Sequence, residues 1–168
     1  MAIYIPDLII SGGQTGSDFG ALIGAKKCGI PTGGFAPKGY RTESGYMPEL
    51  EKVYGLVECE SPEYRVRTLK NVLFADAVLL ICRDFGSVGS DLTVKLCFDH
   101  AKPLYKLVFA HKPSFMPRDW ESTLILWLNT LRPGILMVAG NRESKAPGIG
   151  KFTEGVIGGL FSEEEHSV

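Results

Sequence analysis

Three features of the sequence predict an α/β fold, a Rossmann-like three-layer sandwich with a mostly parallel sheet and helices on both faces. Apolar runs alternate with segments of helical period five times along the chain. The run Ala77 to Cys82 is continuously aliphatic, the pattern of a parallel strand covered on both sides. Glycine-rich turns follow the strands and open the helices, first at Ser11 to Asp18.

The elements follow in order. Asp7 to Ser11 is a short strand. From Gly16 onward Phe19, Leu22 and Ile23 recur at helical spacing, and Lys26, Lys27 and Gly29 close the helix. Pro31 to Pro48 is rich in glycine and proline and is expected to be a loop, followed by a strand over Val53 to Cys59. Ser61-Pro62 offers a capping hydroxyl and a first-turn proline to a helix ending near Phe74. After Ala77 to Cys82 come a helix over Ser90 to Ala101 and a strand over Leu104 to Phe109. Asp119 starts a helix whose Trp120, Leu124, Trp127, Leu128 and Leu131 form one stripe. Ile135 to Ala139 is the last strand, and Ile149, Phe152, Val156 and Leu160 mark the last helix. The alternation implies right-handed crossovers.

Composition narrows the function. The 168 residues suit a single domain, 1–168, and 45% hydrophobic with 22% charged residues describes a packed globule rather than a disordered chain. Eighteen Lys and Arg oppose nineteen Asp and Glu, a formal charge of −1, so no overall field draws the molecule to nucleic acid or anionic lipid. Any anion must be held locally. Ala77 to Cys82 and Leu124 to Leu128 are the longest apolar runs, far short of the ~20 residues that span a bilayer. The first six residues lack the form of a signal peptide. Cys28, Cys59, Cys82 and Cys97 form no CxxC pair, so they are expected to be reduced and buried, and the protein cytoplasmic.

In a sheet of this kind ligands lie outside the carboxyl ends of the strands. Four segments expected at that edge carry unusual chemistry. In the first, Ser11 to Asp18, glycines at 12, 13 and 16 let backbone amides face outward at a helix N-terminus, with Gln14 and Thr15 as added donors. The alternative is a tight turn with Asp18 as a first-turn acid. The second, Gly33 to Gly45, has Gly34 and Gly39 at P-loop spacing. Tyr40-Arg41 stands where Lys-Ser/Thr is needed, which leaves Lys38, Gly39 and Arg41 as an anion-facing loop and Phe35 as a platform for a flat ring. Solvated cations and a core phenylalanine are its alternative. The third, Asp84 to Thr93, offers Ser87, Gly89, Ser90 and Thr93, with Ser90 or Asp91 otherwise a plain N-cap. The fourth, Ala139 to Gly148, offers Arg142 and Ser144.

Other chemistries lack support. His100, His111 and His166 are far apart, so no protein-built metal centre is expected, and no GxSxG elbow suggests a triad. Arg65, Arg67 and Lys70 are expected to form a solvated basic face rather than an RNA contact.

SGGQTGSD at 11–18, GGFAPKGYRTESG at 33–45, RTLKNVLFADAVLLI at 67–81, GSVGSDLT at 86–93 and VAGNRESKAPGIG at 138–150 together resemble the putative molybdenum carrier proteins of the SLOG superfamily. The resemblance runs through residues 8 to 158. It implies the same α/β sandwich and, as ligand, the molybdenum cofactor, a pterin dithiolene with a phosphate and an oxidised molybdenum. It also implies a homo-oligomer, tetramer or dimer, that binds and protects the cofactor without turnover, with molybdoenzymes as recipients. The phosphate would lie on amides and hydroxyls and the molybdenum oxygens near Lys38, Arg41 or Arg142. Phe19 and Ile23 stand where the family usually has Arg and Asp, Phe35-Ala36 replaces Trp-Cys, and Asn141 replaces Pro. The third segment also resembles phosphoribohydrolases that cleave nucleoside monophosphates. Leu92 and Thr93 occupy the places of their glutamates, so no catalytic residue is assigned. Such an enzyme, or a nucleotide sensor, is the alternative.

Overall fold

The computed structural model describes residues 2–83, 88–110 and 116–163. β1 (Leu8–Ile10) leads into α1 (Ser17–Lys27), after which come four two-residue strands: β2 (Thr32–Gly33), β3 (Phe35–Ala36), β4 (Arg41–Thr42) and β5 (Gly45–Tyr46). A one-turn helix α2 (Glu49–Lys52) and β6 (Val57–Glu58) precede α3 (Tyr64–Phe74), β7 (Ala77–Cys82) and α4 (Val88–Asp99). β8 (Leu104–Val108), α5 (Trp120–Leu131), β9 (Ile135–Gly140) and α6 (Ile149–Phe161) complete the described chain.

The central sheet has five strands in the order β2-β1-β9-β7-β8, and every pairing in it is parallel. Counted from β9, that order is the 3-2-1-4-5 of a doubly wound fold, and the direction of winding reverses between β9 and β7. The crevice for a ligand is expected there.

β7 shows why the layers form. All six of its residues are buried. Ala77, Leu79 and Ile81 join the core under α1, α5 and α6, whereas Val78, Leu80 and Cys82 join the core under α3 and α4. Strand alternation therefore sends one aliphatic run into two cores. A third cluster, Leu22, Ala36, Tyr40, Leu50 and Leu56, holds the segment after β2 against α1.

The second strand differs from expectation. Of Val53 to Cys59 only Val57–Glu58 is extended, and it pairs with β3 outside the central sheet. Gly55 lies in the left-handed region at φ 72°, which interrupts the run, and Val57 is 58% exposed. Its place in the sheet is taken by β2, inside the segment expected to be loop. Two residues carry no periodicity, and β2 extends because the edge of β1 supplies its backbone partners. Ser61 Oγ accepts the Glu63 amide at 3.1 Å, making a turn before α3 rather than its cap. α4 begins at Val88, so Ser90 and Asp91 lie inside its first turn and neither is its N-cap. None of the four cysteines is in a disulfide. Cys28 is only half-buried, and burial pushes the Cys97 thiol up to about 11. No described helix is long and apolar enough to cross a membrane.

Leu79→Ala should lower unfolding free energy by about 2–5 kcal/mol in urea denaturation. Phe98→Ala, at a residue 86% exposed, should change it by less than about 0.5 kcal/mol.

Candidate functional site

A cavity of about 440 Å³ opens at the carboxyl ends of β9 and β7, where the winding reverses. Its size falls within the range of small-molecule sites, roughly 300–1,000 Å³. Gln14 and Asp18 reach it from the β1–α1 connection, Gly89, Ser90, Leu92 and Thr93 from α4, and Asn141, Arg142 and Lys145 from the segment after β9. Met137, Ala139 and Gly140 of β9 contribute as well. The remaining wall is α3, whose Tyr64, Arg67, Thr68 and Asn71 occupy positions i, i+3, i+4 and i+7 and so share one face.

The first glycine turn is built around a carboxylate. Asp18 pairs with Arg67, Oδ2 to Nη1 2.7 Å, with side chains only 6% and 12% exposed. The Gln14 amide donates to the same Oδ2 at 3.2 Å, and the Gly12 amide also donates to this carboxylate. Gly13 N–H is turned to Ser11 Oγ at 3.3 Å and Thr15 N–H to Gln14 Oε1 at 3.1 Å. The amides of residues 12 to 15, expected to face an anion, are thus taken up within the turn. Gly12, Gly13 and Gly16 shape it without lining the cavity. A Cβ on Gly12 would lie 1.6 Å from Arg67 Nη1, so only glycine lets the guanidinium reach Asp18. At Gly16 φ is 83°, and a Cβ would meet the Asn141 carbonyl at 2.4 Å. Burial pushes the Asp18 carboxyl above its ordinary value, against the opposing pull of Arg67 and the two amides.

Two buried donors remain. Gln14, 5% exposed, accepts the amides of Thr15 and Glu43 on Oε1, at 3.1 and 2.9 Å, which fixes the orientation of its side-chain amide. Its Nε2 has no partner among the described residues, nor has Arg67 Nε. An unsatisfied buried donor costs about 1–3 kcal/mol. Both belong to residues lining the cavity, where an acceptor on a ligand would satisfy them.

Positive charge gathers next to these donors. The guanidinium carbons of Arg41, Arg67 and Arg142 lie 5.6, 5.5 and 5.5 Å from the centre of the Tyr64 ring. No two can be more than about 11 Å apart, so each pair repels by at least about 0.4–1.5 kcal/mol at effective dielectric constants of 80 to 20, before the Asp18 charge is counted. Among the described lining residues Tyr64 is thus the aromatic group of the cavity. Phe35 packs edge-on against Phe74, centroids 5.9 Å apart, with Lys70 over its ring. Arg67, expected on a solvated face, points inward, while Arg65 and Lys70 are exposed. Lys38 is exposed and lines no part of the cavity, and the Gly39 amide donates to Glu58 at 2.8 Å.

Glu43 joins three of the expected segments. Its carboxylate accepts the Thr15 hydroxyl together with the hydroxyl and amide of Ser144. Burial alone would raise the Glu43 carboxyl. The bonds from Ser144 and Thr15 and the charge of Arg142 outweigh it and hold the group below its ordinary 4.5. Thr15 and Ser144 therefore serve the rim of the cavity rather than its lining. On α4, Thr93 Oγ1 donates to the Gly89 carbonyl at 3.2 Å, while Ser87 lies outside the described residues, as do His111 and His166.

Gln14, Asp18, Gly89, Ser90, Thr93 and Arg142 of the expected set line the cavity, and Arg41 borders it through Tyr64. Sequence reasoning missed Tyr64, Arg67, Thr68, Asn71 and Lys145 as lining residues and Glu43 as the clasp. The spacing 64-67-68-71 was the available signal for α3. Among the described residues no group of three or more His, Cys, Asp or Glu could hold a metal ion.

The sequence model of the Circularly permutated YpsA SLOG family matches residues 9–161. The crystal structure of a putative molybdenum carrier protein from Syntrophus aciditrophicus superposes with a TM-score of 0.84 at 32% identity. The match covers 95% of this chain and 97% of that one. No protein of curated function matches.

Arg67→Leu leaves the buried Asp18 unpaired and should cost about 3–5 kcal/mol of stability in urea denaturation, part of which Asp18→Asn regains in the same background. A carboxyl held low contributes stability that is present above its unfolded value and lost as pH falls through the folded one. The stability deficit of Glu43→Gln, followed by denaturation at a series of pH values, should therefore shrink as pH falls below about 4.5. A deficit independent of pH would contradict the clasp.

Proposed function

The chain belongs to the Circularly permutated YpsA SLOG family, and on that premise we propose that it binds and protects a phosphorylated, anionic small molecule, the molybdenum cofactor, as a carrier without turnover. The observation that carries this reading is the pair of buried donors, Gln14 Nε2 and Arg67 Nε, without acceptors among the described residues in a cavity bordered by three guanidinium groups. A ligand that fits must bring several acceptor oxygens and negative charge. The cofactor brings a phosphate ester, pterin acceptors and oxygens on molybdenum, and molybdenum is what it supplies to a recipient enzyme.

On this reading Arg41 and Arg142 neutralise the anionic groups, and Gln14 and Arg67 donate to acceptors further in. Ser90 and Thr93 face the ligand from α4, with Leu92, Met137 and Ala139 as the apolar part of the wall. Arrangement as a homo-oligomer in the cytoplasm and delivery to molybdoenzymes belong to the same proposal.

One observation favours the alternative, cleavage of a nucleotide N-glycosidic bond: Asp18 lines the cavity and burial raises its carboxyl. Its acceptor positions are occupied by Arg67, Gln14 and Gly12, which leaves it poorly placed to exchange a proton with a substrate. Leu92 and Thr93 offer no carboxylate on the α4 wall.

Denaturing the purified protein, oxidising the extract and reading pterin fluorescence should reveal bound cofactor. No pterin even after the cofactor is supplied would remove the carrier reading. Release of free base from nucleoside monophosphates would instead establish the alternative.

A further inference from the structure

The obvious place for a ligand's charge, the glycine turn after β1, has its amides of Gly12, Gly13, Gln14 and Thr15 already bonded. Resting on the reading of the cavity as a ligand site, we propose that Arg41 and Arg142, held about the Tyr64 ring, form the docking point for a tetrahedral dianionic oxygen group, a phosphate monoester or a free oxyanion.

The two arginines come from distant parts of the chain, the β4–β5 hairpin and the segment after β9, yet both stop against one ring. Arg41 makes no ion pair among the described residues. Arg142 lies near Glu43, whose carboxylate already accepts from Thr15 and Ser144. Arg67 is different: Asp18 neutralises it through Nη1, and its buried Nε–H, without an acceptor among the described residues, is left as a donor beside the cationic pair.

A guanidinium presents paired N–H groups in a plane that matches two oxygens of a tetrahedral anion. Held on the face of an aromatic ring, it loses little further freedom on binding. Tyr64 is then a positioning residue, which acts by keeping two like charges in place before the anion arrives. Lys38, although a cation of the same glycine-rich segment, has no part in this site, because it is exposed and, unlike Arg41 and Arg142, is not held over the Tyr64 ring.

Calorimetry with inorganic phosphate, molybdate, a nucleoside 5′-monophosphate and the parent nucleoside, at fixed ionic strength set with chloride, tests the proposal. Phosphate or molybdate should bind the wild-type protein, and Arg41→Gln and Arg142→Gln should each weaken binding by about tenfold or more, as for hydrogen bonds to charged groups. Tyr64→Phe, which keeps the ring, should bind within about threefold of wild type, and Tyr64→Leu should bind as weakly as the arginine variants. Lys38→Gln should bind as wild type does. A monophosphate that binds more tightly than phosphate identifies an ester as the ligand's charged group, whereas equal affinity identifies a free oxyanion. Undiminished binding in the Arg41→Gln/Arg142→Gln double variant, or no binding of any of these anions to the wild type, overturns the proposal. The pterin assay separates the two readings: pterin retained in full by the double variant discards the docking point and keeps the carrier. Arginine-dependent phosphate binding by a protein that never yields pterin discards the cofactor and keeps the docking point.

Discussion

The buried pair of Asp18 and Arg67 is the interaction on which the rest of the site depends. It joins α1 to α3 across the cavity, gathers the Gly12 and Gln14 amides onto one carboxylate, and requires a glycine at position 12 for the guanidinium to pass. A charge pair this deep is no strong source of stability, because desolvation offsets most of its attraction. Its consequence is geometric. It closes the turn after β1 on itself and, on the proposed reading, leaves the task of meeting a ligand to side chains: the Gln14 amide, Arg67 Nε, and the arginines around Tyr64.

A protein with a formal charge of −1 cannot attract an anion from a distance through its overall field. It can do so at one place if like charges are assembled there at the expense of stability. The Arg41 and Arg142 guanidinium groups around Tyr64 repel each other, and two buried donors without acceptors among the described residues carry a desolvation penalty. On the proposed reading a bound anion relieves both. Glu43 balances the rim: it ties the β4–β5 hairpin to the segments after β1 and β9, and its own hydroxyl and amide partners hold it ionised.

Much of the fold was legible because burial on two sides leaves a direct mark on sequence. Ala77 to Cys82 has no polar residue, and it became the strand shared by both cores. β2 left no such mark, since two residues at a sheet edge owe their conformation to the neighbouring backbone rather than to side chains. The placement of segments after strands foresaw the location of the cavity, and Gln14, Asp18, Ser90, Thr93 and Arg142 line it. Roles were harder to foresee. A glycine turn looks the same whether its amides face solvent or an internal carboxylate, so Asp18 as the acceptor could not be distinguished from Asp18 as a first-turn acid. Arg67 looked like its exposed neighbours Arg65 and Lys70, because its inward direction follows from the polar face it shares with Tyr64, Thr68 and Asn71. Glu43 bonds to residues 28 and 101 positions away, a relation no local pattern encodes.

The central claim is that a ligand's acceptors complete Gln14 Nε2 and Arg67 Nε. Side-chain ¹H–¹⁵N spectra recorded while the protein is titrated with a phosphorylated pterin test it most directly. The Arg67 Nε–H and Gln14 Nε2 signals should move downfield and exchange more slowly with solvent as the pterin binds. Saturable binding that leaves both signals in place would contradict the claim and locate the ligand elsewhere on the molecule.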